Sequence, residues 1–169
     1  QSFYKPKIHA DPMSLRKMVD MLKHTKKPIF YVGGGVINSG KLASERLYKL
    51  IKMTGFPCTQ TLMALGAFPT SDEQFLGMLG MHGTYEANLA MNKADLVICV
   101  GARFDDRITG KVSGFSPSSK KIHIDIDPSS FNKSIRVDLT VQGDIKNVLN
   151  SLINIIKDEK IAFDTLKYK

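Results

Sequence analysis

No apolar run in the chain is long enough to cross a bilayer, which removes a membrane span from consideration. The opening residues, Gln1-Ser2-Phe3-Tyr4-Lys5-Pro6-Lys7, carry basic groups without an apolar stretch behind them, so no signal peptide is read there. Cysteine is scarce. Cys58 and Cys99 both fall in predicted strands and read as buried, reduced thiols of a cytoplasmic fold that needs no disulfide. Neither has a histidine within a few positions, which argues against a cysteine nucleophile. The histidines, His9, His24, His82 and His123, lack metal-ligand spacing. Internal repeats and low-complexity tracts are also missing.

What is present is an ordinary globular composition: 169 residues, 43% of them hydrophobic, enough for one domain with a proper core. A formal charge of +8 raises the question of nucleic acid. The lysines, however, are spread along predicted helix faces (Lys17, Lys23, Lys26, Lys27, Lys41, Lys49, Lys52) and the C-terminal tail, with no basic stripe interleaved with aromatics. A solvated surface is the reading, with neither nucleic acid nor membrane as partner.

Residues 1–10 lack periodicity and read as an entering linker. Asp11-Pro12 then opens a helix, with an aspartate cap and proline in the first turn. Leu15, Met18, Val19 and Leu22 form its buried face. The strand Ile29-Phe30-Tyr31-Val32 runs into Gly33-Gly34-Gly35, and Asn38-Ser39-Gly40 is a turn with capping potential. A helix over residues 41–53 is expected to bury Leu42, Leu47, Leu50 and Ile51 and to stop at Thr54-Gly55. Strands are predicted over residues 57–62, 75–81, 95–100, 121–126 and 139–142. A helix is expected from Gly83 or Thr84 to Lys93, and another is capped by Asp144 and carries Val148, Leu149, Leu152, Ile153 and Ile156. Residues 158–169 read as an exit linker. Continuous apolar strands alternating with helices imply an α/β fold, a doubly wound six-stranded parallel sheet in the order 3-2-1-4-5-6.

In such a sheet, ligands lie outside the carboxyl ends of the strands. The glycine-containing and polar segments fall on that edge: Gly33 to Gly35, Thr61-Leu62-Met63, Gly80-Met81-His82-Gly83, Gly101-Ala102-Arg103, Asp125-Ile126-Asp127 and Gly143-Asp144. Their convergence favours a long, phosphorylated ligand, with glycine letting it approach the backbone and arginine offering a fork for phosphate. The dinucleotide fingerprint fails, because Asn38 stands where a third glycine belongs and strand two ends Thr59-Gln60-Thr61 without an acid for a ribose hydroxyl. Ser39-Gly40-Lys41 lacks the glycine spacing of a P-loop. Asp125 and Asp127 suit hydrogen bonds to ribose or adenine, though Asp127 reads equally as the cap of the Pro128 turn. His82 precedes a helix start that favours an anion, whereas His123, inside strand five, reads as a packed strand residue. Asp105-Asp106-Arg107 reads as a self-neutralising turn as readily as a site.

Four blocks in order carry a more specific signal: Thr61-Leu62-Met63-Ala64-Leu65-Gly66-Ala67-Phe68-Pro69, Leu79-Gly80-Met81-His82-Gly83-Thr84-Tyr85-Glu86-Ala87-Asn88, Gly101-Ala102-Arg103-Phe104-Asp105-Asp106-Arg107-Ile108-Thr109-Gly110 and His123-Ile124-Asp125-Ile126-Asp127-Pro128. With residues 30–40, they resemble the central domain of the acetohydroxyacid synthase (acetolactate synthase) catalytic subunit, over residues 11–152. The resemblance implies a Rossmann-like, DHS-like NAD/FAD-binding domain over residues 11–157 of a three-domain transferase. That enzyme condenses two pyruvates, or pyruvate and 2-oxobutyrate, in branched-chain amino-acid biosynthesis. FAD sits in the central domain in a structural, non-redox role, while thiamine diphosphate and magnesium belong to the outer domains of the same chain. A homo-oligomer and a small regulatory subunit are implied partners, in the cytoplasm or an organelle stroma.

On the matching positions, the resemblance implies cofactor contacts at Gly33, Gly34, Gly35, Thr61, Leu62, Met63, Met81, His82, Gly101, Arg103, Asp105, Arg107, Asp125, Ile126 and Asp144. Met81, Asp106 and Arg107 would also reach the substrate channel. The Gly-Asp-Gly…Asn-Asn element of thiamine enzymes is missing, so no catalytic residue is assigned and the piece by itself is expected to be inactive. Two alternatives stand beside this reading: a flavin module for electron transfer, and the central domain of a related thiamine-dependent decarboxylase. A sirtuin-like deacetylase is excluded by the absence of paired Cys-x-x-Cys.

Overall fold

The computed structural model describes residues 9–61, 64, 66–78, 84–102, 118–126 and 137–163. Six parallel strands form one sheet in the order β3-β2-β1-β4-β5-β6, as the strand pattern implied. β1 (Pro28–Val32) and β4 (Leu96–Val100) are buried along their whole length. They pair from Pro28↔Leu96 to Val32↔Val100 at the centre of the sheet. β2 (Cys58–Gln60) and β3 (Phe75–Met78) extend it on one side, and β5 (Lys120–Asp125) and β6 (Leu139–Gln142) on the other.

Alternation along these strands sorts residues to two faces. Phe30, Val32, Cys58, Ile98, Val100, Ile122, Ile124 and Val141 join the larger core. Three helices complete that core: α1 (Pro12–His24), α3 (Lys41–Thr54) and the last helix, Ile145–Asp158. The opposite face sends Ile29, Tyr31, Val97 and Cys99 to a smaller cluster with Met91 of α4 (Tyr85–Lys93) and Ala94. The last helix, α5, buries Ile145, Val148, Leu149, Leu152, Ile153 and Ile156 on one stripe. At about 1.5–3 kcal/mol per fully buried aliphatic side chain, that stripe is a main source of helix stability.

Local chemistry sets the helix ends. Asp11 accepts from the Met13 N–H at 3.1 Å and Asp144 from the Asn147 N–H at 3.1 Å, so both predicted caps form. Gly55 closes α3 at φ +70, with its N–H on the Ile51 carbonyl at 2.9 Å. The Asn38-Ser39-Gly40 turn provides the cap of α3 through Gly40. A single helical turn, α2 (Gly35–Asn38), precedes it, and Ser39 donates back to the Gly35 carbonyl at 2.8 Å. Leu42 is corrected. It is 51% exposed, because the buried stripe of α3 is Ala43, Leu47, Leu50, Ile51 and Thr54, and Leu42 lies about a third of a turn off that stripe. Beyond α5 the chain turns back, so that Phe163 meets Phe56 edge-on at 5.4 Å.

Candidate functional site

The carboxyl ends of β1 and β4 meet at the centre of the sheet, where the strand order reverses. Beyond the last ladder pair the two ends stay bonded. The Gly33 N–H donates to the Val100 carbonyl at 2.9 Å and the Gly35 N–H to the Gly101 carbonyl at 2.8 Å. Little separates the two backbones. A Cβ on Gly33 would lie 2.2 Å from the Ala102 Cβ, one on Gly35 2.9 Å from Gly101 Cα, and one on Gly101 2.7 Å from the Val36 nitrogen. Gly33, Gly35 and Gly101 therefore answer first to the protein's own packing, whereas the sequence reading took them as candidate ligand contacts. Gly34 is right-handed and starts α2.

On the β2 side, the Thr61 N–H donates to the Val32 carbonyl at 2.9 Å. The Thr61 hydroxyl is buried and has no hydrogen-bond partner among the described residues. The preceding residue is a member of this edge that the motifs did not single out. Gln60 is fully buried, donates from Nε2 to the Phe68 carbonyl at 2.9 Å and so ties the returning loop to β2. Its Oε1 is likewise without a partner among the described residues. A long amide side chain in a strand next to the sheet centre was the available signal.

On the β5 and β6 side, the Asp125 carbonyl accepts from the Gly143 N–H at 3.1 Å, while Ile126 is 36% exposed. Asp144 spends one carboxylate oxygen on the cap of α5. His123 is fully buried, as its reading as a packed strand residue required, with Nε2 3.8 Å from Asp125 Oδ2. Burial pushes its pKa below the ordinary imidazole value, against the opposing pull of the Asp125 carboxylate and the Ala102 carbonyl. The cysteines are buried as expected. Burial raises the Cys58 thiol to about 12 and the Cys99 thiol well above its ordinary value, and Cys99 Sγ donates to the Ala102 carbonyl at 3.2 Å. Protonated thiols of this kind are poor nucleophiles.

Of the candidate residues, Gly33, Gly34, Gly35, Thr61, Gly101, Asp125, Ile126 and Asp144 are thus brought to one edge. Leu62, Met63, Met81, His82, Arg103, Asp105, Asp106 and Arg107 lie outside the described residues. Among the described residues no cluster of three or more His, Cys, Asp or Glu side chains is placed to hold a metal, and no helix is long and apolar enough to cross a membrane. The described cavities sit at the amino edge. One of about 280 Å³ is lined by His24, Thr25, Asp95 and Lys120. Its carboxylate is already occupied, since Asp95 accepts from the Thr25 hydroxyl and from the Lys26 and Lys27 N–H groups.

Comparison with known proteins agrees with this architecture. The chain is 43% identical over 162 residues to the acetolactate synthase large subunit of Haemophilus influenzae, covering 96% of this chain and 28% of that protein. It is 45% identical over 156 residues to the acetolactate synthase of Mycobacterium avium, covering 92% and 25%. With the acetolactate synthase large subunit of Buchnera aphidicola subsp. Schlechtendalia chinensis it shares 44% over 153 residues, covering 90% and 26%. The chain therefore spans about a quarter of the length of the curated relatives it matches. The family described as thiamine pyrophosphate enzyme, central domain, matches residues 15–152, from the first buried turn of α1 into α5. The all-parallel sheet is consistent with such a domain, and the chain belongs to the thiamine pyrophosphate enzyme central-domain family.

Proposed function

We propose that this domain binds FAD along the carboxyl edge of its sheet, as a structural part of a longer thiamine diphosphate-dependent acetolactate synthase. The observation that carries the reading is the buried Thr61 hydroxyl, which lacks a partner among the described residues, at the edge where candidate contacts from β1, β2, β4, β5 and β6 converge. An unsatisfied buried hydroxyl is costly, and a polar ligand would satisfy it. Identity above 40% to acetolactate synthases over nine-tenths of the chain supports the choice of enzyme.

On this reading the residues fit an elongated dinucleotide. Gly34 and Thr61 would hold its centre, and Asp125 and Ile126 would hold the ribose and adenine end. Leu62, Met63, Met81, His82, Arg103, Asp105 and Arg107 complete the candidate set, with Met81, Asp106 and Arg107 toward the substrate. Asp144 would act mainly by holding α5 at the edge, because its carboxylate is engaged in the cap. The flavin would supply a rigid aromatic surface without redox chemistry in the main reaction. The condensation of two pyruvates, or of pyruvate with 2-oxobutyrate, would belong to thiamine diphosphate and magnesium on the outer domains. A homo-oligomer and a small regulatory subunit follow from the same reading, in the cytoplasm or a stroma.

Thr61→Val tests it. Valine keeps the shape and removes the hydroxyl, so FAD affinity of the full-length protein, followed by flavin fluorescence, should fall about 10-fold, equivalent to roughly 1.4 kcal/mol. The ligand-free stability should hold or rise, since an unpaired buried group is gone. Unchanged affinity for FAD would refute the assignment of this edge.

A further inference from the structure

β2 is short and carries polar side chains at Thr59 and Gln60, with Thr61 directly after it. The Thr59 hydroxyl donates to the Gly77 carbonyl at 2.6 Å, across the irregular register between β2 and β3. Gln60 alternates to the other face, is fully buried, and donates from Nε2 to the Phe68 carbonyl at 2.9 Å. Phe68 is itself fully buried, with its ring 5.5 Å from that of Tyr48 on α3, so the far end of the tie is anchored. Between the two ends the chain turns back on itself. The Ala64 N–H donates to the Thr61 carbonyl at 3.0 Å and the Ala67 N–H to the Ala64 carbonyl at 2.9 Å, with both alanines buried. Gln60 thus closes, through its side chain, the loop that begins at Thr61.

This closure contributes little net stability. The buried amide leaves Oε1 unpartnered among the described residues, and that desolvated acceptor offsets what the bond to Phe68 contributes. A half-satisfied buried amide is better explained by what it holds in place. We propose that Gln60 is a positioning residue, whose bond to Phe68 fixes the start of the loop so that the Thr61 hydroxyl faces the ligand at the carboxyl edge. The inference rests on the FAD reading above and deepens it. A hydroxyl on a loose loop must be ordered when the ligand arrives, and that ordering subtracts from affinity. Here the Thr61 N–H is bonded to the Val32 carbonyl at 2.9 Å on one side, and the loop beyond is pinned by Gln60 on the other, so the ordering is complete before the ligand binds.

FAD titration of the full-length protein by flavin fluorescence, joined to hydrogen exchange of the ligand-free protein, tests the role. Gln60→Met keeps the side-chain length and loses the tie. It should weaken FAD binding roughly 5-fold, and speed exchange in a peptide spanning residues 61–68 while peptides from β1 and β4 stay as in wild type. In a Thr61→Val background, Gln60→Met should add less than about 2-fold, because the hydroxyl it positions is gone. Unchanged FAD affinity, unchanged exchange over residues 61–68, or losses that multiply with Thr61→Val would overturn the positioning role while leaving the FAD site intact. Faster exchange across the whole sheet would overturn it too, by making Gln60 a requirement of the fold. If Thr61→Val binds FAD as tightly as wild type, the reading of this edge fails and the inference fails with it.

Discussion

Gly33→Ala offers the sharpest test of why glycine stands at the end of β1. The new Cβ would lie 2.2 Å from the Ala102 Cβ, 2.3 Å from the Ala102 Cα and 2.5 Å from the Gly101 carbonyl oxygen. Carbon atoms need about 3.5 Å, so the ends of β1 and β4 must part by more than roughly 1 Å. Overpacking of that kind costs about 1–3 kcal/mol. The same movement strains the Gly33–Val100 and Gly35–Gly101 hydrogen bonds, each worth about 0.5–1.5 kcal/mol net, so a loss of roughly 2–5 kcal/mol is expected. Gly40→Ala is the control. Gly40 sits at φ +97, ψ 175 with nothing within 4 Å of an added Cβ, so only backbone strain of about 1–3 kcal/mol applies. Urea unfolding of the 169-residue chain, followed by far-UV circular dichroism, measures both. With a slope near 2 kcal/mol per molar, Gly33→Ala should lower the midpoint by about 1–2.5 M, and Gly40→Ala by about 0.5–1.5 M. A Gly33→Ala midpoint within about 0.25 M of wild type would refute the packing argument. Loss of FAD binding in that same stable variant would return the glycine to the ligand.

Two further outcomes follow from the same geometry. His123 has a folded-state pKa below its ordinary value of 6.5, so as pH falls through 6.5 the unfolded chain takes up a proton that the folded chain refuses. Stability contributed by the neutral buried imidazole is fully present above that value and declines at up to about 1.4 kcal/mol per pH unit below it. His123→Gln should flatten the decline in urea midpoints between about pH 6.5 and 5, and an unchanged slope would show that another group dominates. The 169-residue chain supplied with thiamine diphosphate, magnesium and FAD should form no acetolactate from pyruvate, because it lacks the Gly-Asp-Gly…Asn-Asn element. Product above a no-protein blank in a colorimetric acetoin assay would reverse that assignment.

The sequence by itself determined whatever rests on neighbours along the chain. The apolar runs of β1 and β4 declared a parallel sheet buried on both faces, and the alternation of elements led to the strand order observed. Asp11, Pro12, Gly55 and Asp144 marked helix ends because a cap acts within a few residues of itself. Leu42 misled for a related reason. A leucine one position off the buried stripe looks locally like core. Only the tertiary structure decided that Gly33 and Gly35 are spaced by the backbone of Gly101 and that Gln60 ties Phe68. The glycine contact is made between strands distant in the chain. No periodicity encodes which backbones will meet there, because that is set when the strands assemble and the helices close over them.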